Sequence, residues 1–336
     1  MAPDSDGRWK IVSTAPLDEA SVRRLVGDET DVEFDVVVVE PRTAEAAVEA
    51  CVDADVVIGD YVFEVPIDRA VIERMERCRL IQQPSVGYQQ IDVEAAAERG
   101  IPVCNAAGGN DVAVAEYTVM VALALMKQLL WLDPEVRAGR WPQMEATGRG
   151  HFELAGKVWG IVGFGRIGRQ LAQRLKGWEV EVRYCDVDAA PPEVEAELSV
   201  RRCELDELLA EADVVSLHTP LTPKTRHLID AAALEKMKPS AYLINVARGE
   251  IVDQAAVEAA LREGRIKAAA LDVFDEEPLP AGHSLTTLEN VILTPHTAGT
   301  PLEASVRIIK ITAQNVRRVL RGETPINVVN GVDVGI

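Results

Sequence analysis

The chain has 336 residues, 48% of them hydrophobic and 26% charged. That composition belongs to a folded globular protein long enough for two domains, and it excludes the disordered and fibrous classes. A formal net charge of −19 repels phosphate backbones and anionic lipid surfaces, so neither nucleic acid nor a membrane is expected as a partner. The same charge accords with adaptation to high salt, and nine lysines against twenty-six arginines accord equally with genomic base composition; the sequence does not choose between them.

No run approaches the roughly 20 apolar residues that cross a bilayer. The opening MAPDSDGRWK has neither the basic nor the apolar region of a signal peptide, so the expected address is the cytoplasm. Cys51, Cys78, Cys104, Cys185 and Cys203 are odd in number and not closely paired. They suggest neither a disulfide framework nor a zinc site, and read as small apolar fillers.

Along the first hundred residues, β-branched runs alternate with helical patterns. Lys10–Val12, Val36–Val39, Val56–Ile58, Leu80–Gln82 and Pro102–Cys104 are predicted strands; Thr43–Asp53 and Val93–Arg99 are predicted helices. Short apolar strands joined by crossover helices imply a parallel sheet covered on both faces. A long helix rich in Ala, Val, Leu and Met is predicted from Asp111 to Ala138, and a loop around Gly139–Gly156 follows it.

A second α/β series then begins, with strands at Val158–Val162, Val180–Cys185, Val214–Leu217, Ala241–Val246, Ala268–Leu271 and Val291–Leu293. One amphipathic helix, Leu302–Leu320, closes the chain. A single helix cannot make a domain, so it is expected to pack back on the first series. The predicted fold is therefore α/β with two Rossmann-like or flavodoxin-like domains: residues 1–109 and 298–336 form one discontinuous domain, and residues 110–297 are inserted into it. No solenoid repeat and no low-complexity segment interrupts the pattern.

The stretch Val158–Ala172 places Gly163, Gly165 and Gly168 in a G-x-G-x-x-G between a predicted strand and a helix. The first glycine of such a loop permits the tight turn, the second lets backbone amides approach a pyrophosphate, and the third lets helix and strand pack closely. Alone the pattern is weak. The next strand, however, ends in Asp186, about 20 residues on, where a carboxylate accepts hydrogen bonds from adenosine ribose hydroxyls. Asp186 would repel a 2′-phosphate, and no arginine follows it in Cys185–Pro192 to receive one, so NAD is favoured over NADP.

Three further predicted strands run into charged segments: Arg248 in "LINVARGEIVD", Asp272 and Glu277 in "ALDVFDEEP", and His296 in "ILTPHTAG". Each has an ordinary alternative: a surface arginine, a solvated acidic turn, a hydrogen-bonded loop histidine. In open α/β sheets, however, the carboxyl ends of the strands converge on the ligand crevice. Together the three supply what hydride reduction of a 2-oxo acid needs. His296 is a proton donor near neutral pH, Glu277 orients the imidazole and favours its charged form, and Arg248 is a planar cation that binds a carboxylate. Asp275 and Glu276 are read as solvated turn residues. No metal is expected, because consecutive side chains on a turn do not converge on an ion.

With these motifs, and with "LHTPLTPKTRHLI" from Leu217, the chain resembles the D-isomer-specific 2-hydroxyacid dehydrogenase family over nearly its whole length. That family includes phosphoglycerate, glycerate and D-lactate dehydrogenases, glyoxylate reductases and, more distantly, formate and phosphite dehydrogenases. The resemblance makes residues 110–297 an NAD-binding Rossmann domain and the remainder a substrate domain. It implies Arg248, Glu277 and His296 as the catalytic set, acting on a small 2-oxo or 2-hydroxy acid bound in an interdomain cleft that closes over it. It puts the amides of Arg166 and Ile167 on the pyrophosphate, Thr219, Pro220 and Thr225 at the adenine, and Asp272 at the nicotinamide carboxamide. Ala247 and Gly299 complete the cofactor contacts.

In the first domain, "PSVGYQQIDV" and "NAAGGNDVAVAEYTV" resemble the family's substrate loop and the segment leading to its long dimer helix. The amides of Val86 and Gly87 then hold the substrate carboxylate, and Asn110 marks the hinge. Tyr61, Val62, Val86 and Tyr88 shape the pocket for the rest of the substrate, and Gln89 departs from the Asp or Asn usual at its position. The resemblance further implies a homodimer, with Trp141 reaching the partner's site. Glu277 disfavours the formate branch, which carries glutamine there. Two alternatives stay open: an NAD-sensing interaction protein like the family's corepressor branch, and a phosphite-type oxidoreductase.

Overall fold

Side-chain caps mark where six of the described helices begin. The carboxylates of Asp18, Asp68, Asp92, Asp230 and Asp253, and the hydroxyl of Thr43, each accept from a backbone amide three residues on, satisfying donors that a helix start leaves unpaired. The computed structural model describes residues 8–27 and 32–333; the first seven residues of MAPDSDGRWK lie outside them. The chain divides into two units, Met1–Asn110 with Leu302–Ile336, and Asp111–Pro301.

The first unit runs β1 (Trp9–Ser13), α1 (Glu19–Val26), β2 (Phe34–Val38), α2 (Ala44–Ala50), β3 (Val56–Ile58), α3 (Arg69–Arg74), β4 (Leu80–Gln82), α4 (Val93–Glu98) and β5 (Val103–Cys104). Its strands pair in parallel in the order β2-β1-β3-β4-β5. The order reverses between β1 and β3, the switch point of a flavodoxin-like sheet, where a ligand crevice is expected.

In the second unit the first helical stretch is not continuous. It breaks into α5 (Asp111–Met126) and α6 (Leu129–Arg137), bent by 60° at Gln128, which sits in the left-handed region at φ 50°. The hydrophobic run continued through this point, so composition alone gave one helix. After α7 (Gln143–Gly150) come β6 (Val158–Val162), α8 (Arg166–Leu175), β7 (Glu181–Cys185), α9 (Pro192–Leu198), β8 (Val200–Arg202), α10 (Leu205–Glu211) and β9 (Val214–Leu217). Then follow α11 (Ala231–Lys236), β10 (Tyr242–Asn245), α12 (Gln254–Arg262), β11 (Ala268–Leu271) and β12 (Val291–Leu293).

These seven strands form one parallel sheet, β12-β11-β10-β9-β6-β7-β8. Strand β8 was not foreseen: two of its three residues are exposed arginines, so it lacks the apolar run that marks the others. Strands β9, β10 and β11 are buried along their whole length, as central strands covered on both faces must be. Within this sheet, buried Trp159 donates its indole N–H to Ser216 Oγ at 2.9 Å. No single helix among the described residues is long and apolar enough to cross a membrane.

The chain re-enters the first unit with α13 (Leu302–Leu320), whose buried face carries Thr312, Asn315, Val316 and Val319. Asn315 is fully buried: Nδ2 donates to Gln82 Oε1 at 2.7 Å and to Ile326 O at 2.9 Å, and Oδ1 accepts from Ile326 N at 2.8 Å. Removing these bonds strands buried groups on β4 and on the tail at a cost of about 1–3 kcal/mol. Asn315→Leu should therefore lower the urea midpoint of the first unit by that equivalent, whereas an unchanged midpoint would show that Asn315 does not tie α13 to the sheet.

Candidate active site

The seven-stranded sheet reverses its order between β6 and β9, and the glycine loop lies there. Gly163, at φ 94°, has no room for a side chain: a Cβ would stand 2.6 Å from His218 C and Thr219 N, on the segment leaving β9. At Gly168 a Cβ would meet Gly163 O at 2.4 Å, so α8 packs directly on the turn, while at Gly165 it would meet nothing within 4 Å. Two glycines are thus demanded by the protein itself, and the second of the motif borders open space. Helix α8 begins there with no side-chain cap, leaving its first amides directed at that space, an arrangement suited to a pyrophosphate.

Around this loop the other expected cofactor residues gather. Asp186, the residue after β7, accepts from Phe164 N at 2.6 Å and from Asp188 N at 3.3 Å. Arg166 is exposed, with Nε on Asp111 Oδ2 at 2.8 Å. Thr225 Oγ1 donates to Pro220 O at 2.6 Å and accepts from Thr222 N at 2.7 Å, folding residues 220–225 into a tight loop after Thr219. The residues present fit a dinucleotide.

Beyond β10, buried Asn245 accepts from Ala247 N at 3.1 Å and donates to Arg248 O at 2.8 Å, which fixes the turn that presents Arg248. Gly249 follows because the chain there lies against the next strand's exit: a Cβ would stand 2.0 Å from Phe274 C and O and 2.5 Å from Asp275 N. This contact brings the arginine segment beside the acidic one. Burial draws the Arg248 ionisation down from its ordinary value, and Glu277 and Glu250 pull it back up.

Glu277 Oε2 lies 2.7 Å from His296 Nδ1, and Oε1 accepts from Phe274 N at 3.0 Å. Burial pushes the Glu277 carboxyl up, but the bonds from His296 and the Phe274 amide, with the charges of His296 and Arg248, outweigh it and hold the group below its ordinary value. His296 Nε2 has no protein partner among the described residues. The imidazole is therefore held at one nitrogen and available at the other, beside an arginine. This arrangement suits proton transfer to an oxygen bound nearby.

Asp272, expected at a nicotinamide carboxamide, is only 2% exposed. Its Oδ1 accepts from Thr294 Oγ1 at 2.6 Å and Thr297 N at 2.9 Å, and Oδ2 from Ala298 N at 2.8 Å. The carboxylate thus staples the segment bearing His296. Asp275 and Glu276 are exposed, and no cluster of metal-ligating side chains occurs among the described residues.

Sequence reasoning missed Thr294 and Tyr117, whose hydroxyls lie 2.5 Å apart in a chain leading to Asp272; nothing local in the sequence links residues 177 positions apart. It also missed Arg202, whose Nη2 reaches the backbone carbonyl of Asp186 from β8 at 2.9 Å; the stretch Cys185–Pro192 that follows the acid in the chain itself holds no arginine.

In the first unit, Ser85 Oγ donates to Gly87 O at 2.7 Å and Asn105 Nδ2 to Val86 O at 2.8 Å, pinning the loop after β4. Among the described residues no acceptor takes the amide protons of Val86 or Gly87. Fully buried Asp60, also unforeseen, accepts from the amides of Val62, Glu64 and Val65 and from Arg42 Nη2 at 2.6 Å. It thereby holds up the exposed Tyr61, Val62 and Phe63. Gln83 and Gln90 both donate to Asp60 O.

Residues 119–298 match the family model described as the D-isomer specific 2-hydroxyacid dehydrogenase, NAD binding domain. The chain belongs to the D-isomer specific 2-hydroxyacid dehydrogenase family. It is 42% identical to a (S)-sulfolactate dehydrogenase of Chromohalobacter salexigens over 90% of this chain and 96% of that one. It is 39% identical to a D-3-phosphoglycerate dehydrogenase of Methanocaldococcus jannaschii over 96% of this chain, but spans only 59% of that relative. Among solved structures, the holo D-mandelate dehydrogenase of Rhodotorula graminis superposes with a TM-score of 0.87 at 26% identity, over 97% of this chain and 99% of that one.

The backbone contact at Gly249 makes a direct prediction. Gly249→Ala forces the Arg248 and Phe274–Asp275 segments apart and should destabilise the second unit by about 1–3 kcal/mol. It should also lower kcat/KM beyond any effect on NADH affinity; a variant with wild-type melting temperature and turnover would show that the approach is not constraining.

Proposed function

We propose that this chain interconverts a small 2-oxo acid and the corresponding D-2-hydroxy acid. A bound nicotinamide dinucleotide supplies the hydride that reaches C2, or takes it in reverse. His296 Nε2 gives its proton to the carbonyl oxygen as the C–O bond becomes a hydroxyl, and recovers it when the alcohol is oxidised. Glu277 holds Nδ1 and so fixes the orientation in which the ring meets the substrate. Arg248 binds the substrate carboxylate and polarises the carbonyl. Arg166, Ile167 and Gly165 serve the pyrophosphate, Asp186 the ribose, and Thr219, Pro220 and Thr225 the adenine; Ala247 and Gly299 border the nicotinamide. Asp272 acts through the loop it holds rather than on substrate.

The 2.7 Å contact between Glu277 and His296, with Nε2 left unpartnered, carries this reading. His296→Ala should lower kcat by about 10²–10⁴-fold, the usual worth of a positioned acid–base group, on whichever of glyoxylate, pyruvate, hydroxypyruvate or 2-oxobutyrate the protein reduces. NADH affinity should stay within about twofold. Undiminished turnover would overturn the assignment of the acid.

The chain also acts as a homodimer on this reading. Met120, Leu129, Leu130, Val136, Trp141 and Met144 are exposed along α5, α6, α7 and the loop before α7, with Trp141 79% and Met144 80% exposed. So much apolar surface on adjoining elements marks a contact site. Light scattering after gel filtration should give twice the 36.5 kDa chain mass, and Leu130→Glu should give the monomer mass; a wild-type monomer at micromolar concentration would sink the dimer.

A further inference from the structure

Asp186 alone would make the ribose pocket an NAD site, because a carboxylate there repels a 2′-phosphate. The edge strand changes that. Strand β8 pairs with β7 so that Arg202 lies opposite Tyr184, two residues before Asp186, and its side chain reaches the carboxyl end of β7. Nη2 donates to Asp186 O at 2.9 Å and to Val187 O at 3.3 Å. Those bonds engage one nitrogen. Nε and Nη1 take no protein acceptor among the described residues, and Arg202 is exposed there without an ion pair.

Meanwhile both oxygens of Asp186 face backbone amides, Phe164 N and Asp188 N, so part of its negative charge serves the glycine loop. Next to it Val187 is 87% exposed, and the backbone that Arg202 grips borders open solvent. Other charges act on this strand end. Burial raises the Cys185 thiol, Glu204 adds to that, Arg202 opposes it, and Asp186 adds to it again; Glu195 holds the hydroxyl of Tyr184. The acids outnumber the cation, yet Arg202 is the group with free donors arranged as a fork, the geometry that binds phosphate.

We propose that Arg202 is a cofactor-selectivity residue whose guanidinium receives the 2′-phosphate of NADP(H), so that the chain binds both dinucleotides while Asp186 keeps the preference for NAD(H). The inference rests on the dinucleotide reading of the glycine loop, and binding, not turnover, tests it. Dissociation constants for NADH and NADPH are measured by nucleotide fluorescence on the wild type and on Arg202→Ala, Arg202→Lys and Asp186→Asn.

The wild type should bind NADH more tightly than NADPH, with both measurable. Losing one charge-assisted contact should weaken NADPH about tenfold or more in Arg202→Ala, while NADH changes less than about twofold. Lysine, a point charge without the fork, should restore part of the loss, and Asp186→Asn should shift the ratio toward NADPH. If Arg202→Ala weakens both nucleotides alike, or neither, Arg202 only braces the backbone and the proposal falls while the cofactor site stands. The same holds if the wild type binds NADH but not NADPH. Binding of neither nucleotide would overturn the dinucleotide reading and this proposal with it.

Discussion

A buried carboxylate organises the segment of the second unit that carries His296. Asp272 is shielded from solvent, and its charge is spent on a hydroxyl and two amides of residues 294–298. Its own carbonyl takes the amide of His296 at 2.8 Å. His296 is thereby held at φ 54°, a left-handed conformation that a side chain other than glycine's adopts only where its surroundings impose it. Glu277 then needs only to meet a ring already aimed. Breaking the Asp272 staple would release the histidine without touching either of the two residues that form the pair.

The remaining geometry follows from close backbone approaches. Gly163 against His218–Thr219 joins the exits of β6 and β9, and Gly249 against Phe274–Asp275 joins those of β10 and β11. These approaches let one end of the sheet carry both the glycine loop and the Glu277–His296 pair. They also explain why a motif read for ligand contact has to be read for packing as well: two of its three glycines are fixed by protein atoms before any nucleotide is considered.

Much of this was legible in the sequence because parallel strands buried on both faces leave continuous apolar runs. Val56–Ile58, Val158–Val162, Val214–Leu217 and Ala268–Leu271 stand where those runs put them, and Arg248, Glu277 and His296 were named from the segments that follow such strands. What escaped lacked a local signal. Strand β8 has one buried residue in three, the bend at Gln128 interrupts no hydrophobic pattern, and Tyr117 meets Thr294 only through the fold. Arg202 escaped for the same reason as its strand: register, not chain order, sets it beside Asp186. An argument about charge near a residue is safe along the chain only when the neighbouring strands are known.

The Asn315–Gln82 bond has a consequence for biosynthesis. Helix α13 leaves the ribosome about 200 residues after β5, since one begins at Leu302 and the other ends at Cys104. At usual translation speeds, roughly 5–20 residues per second, the five-stranded sheet waits on the order of ten seconds or more for the helix that covers it. The inserted unit has no such debt and can complete its core while still attached. The part of the protein that emerges first is thus the last to be finished, and β4 spends that interval exposed to whatever chaperones the nascent chain meets.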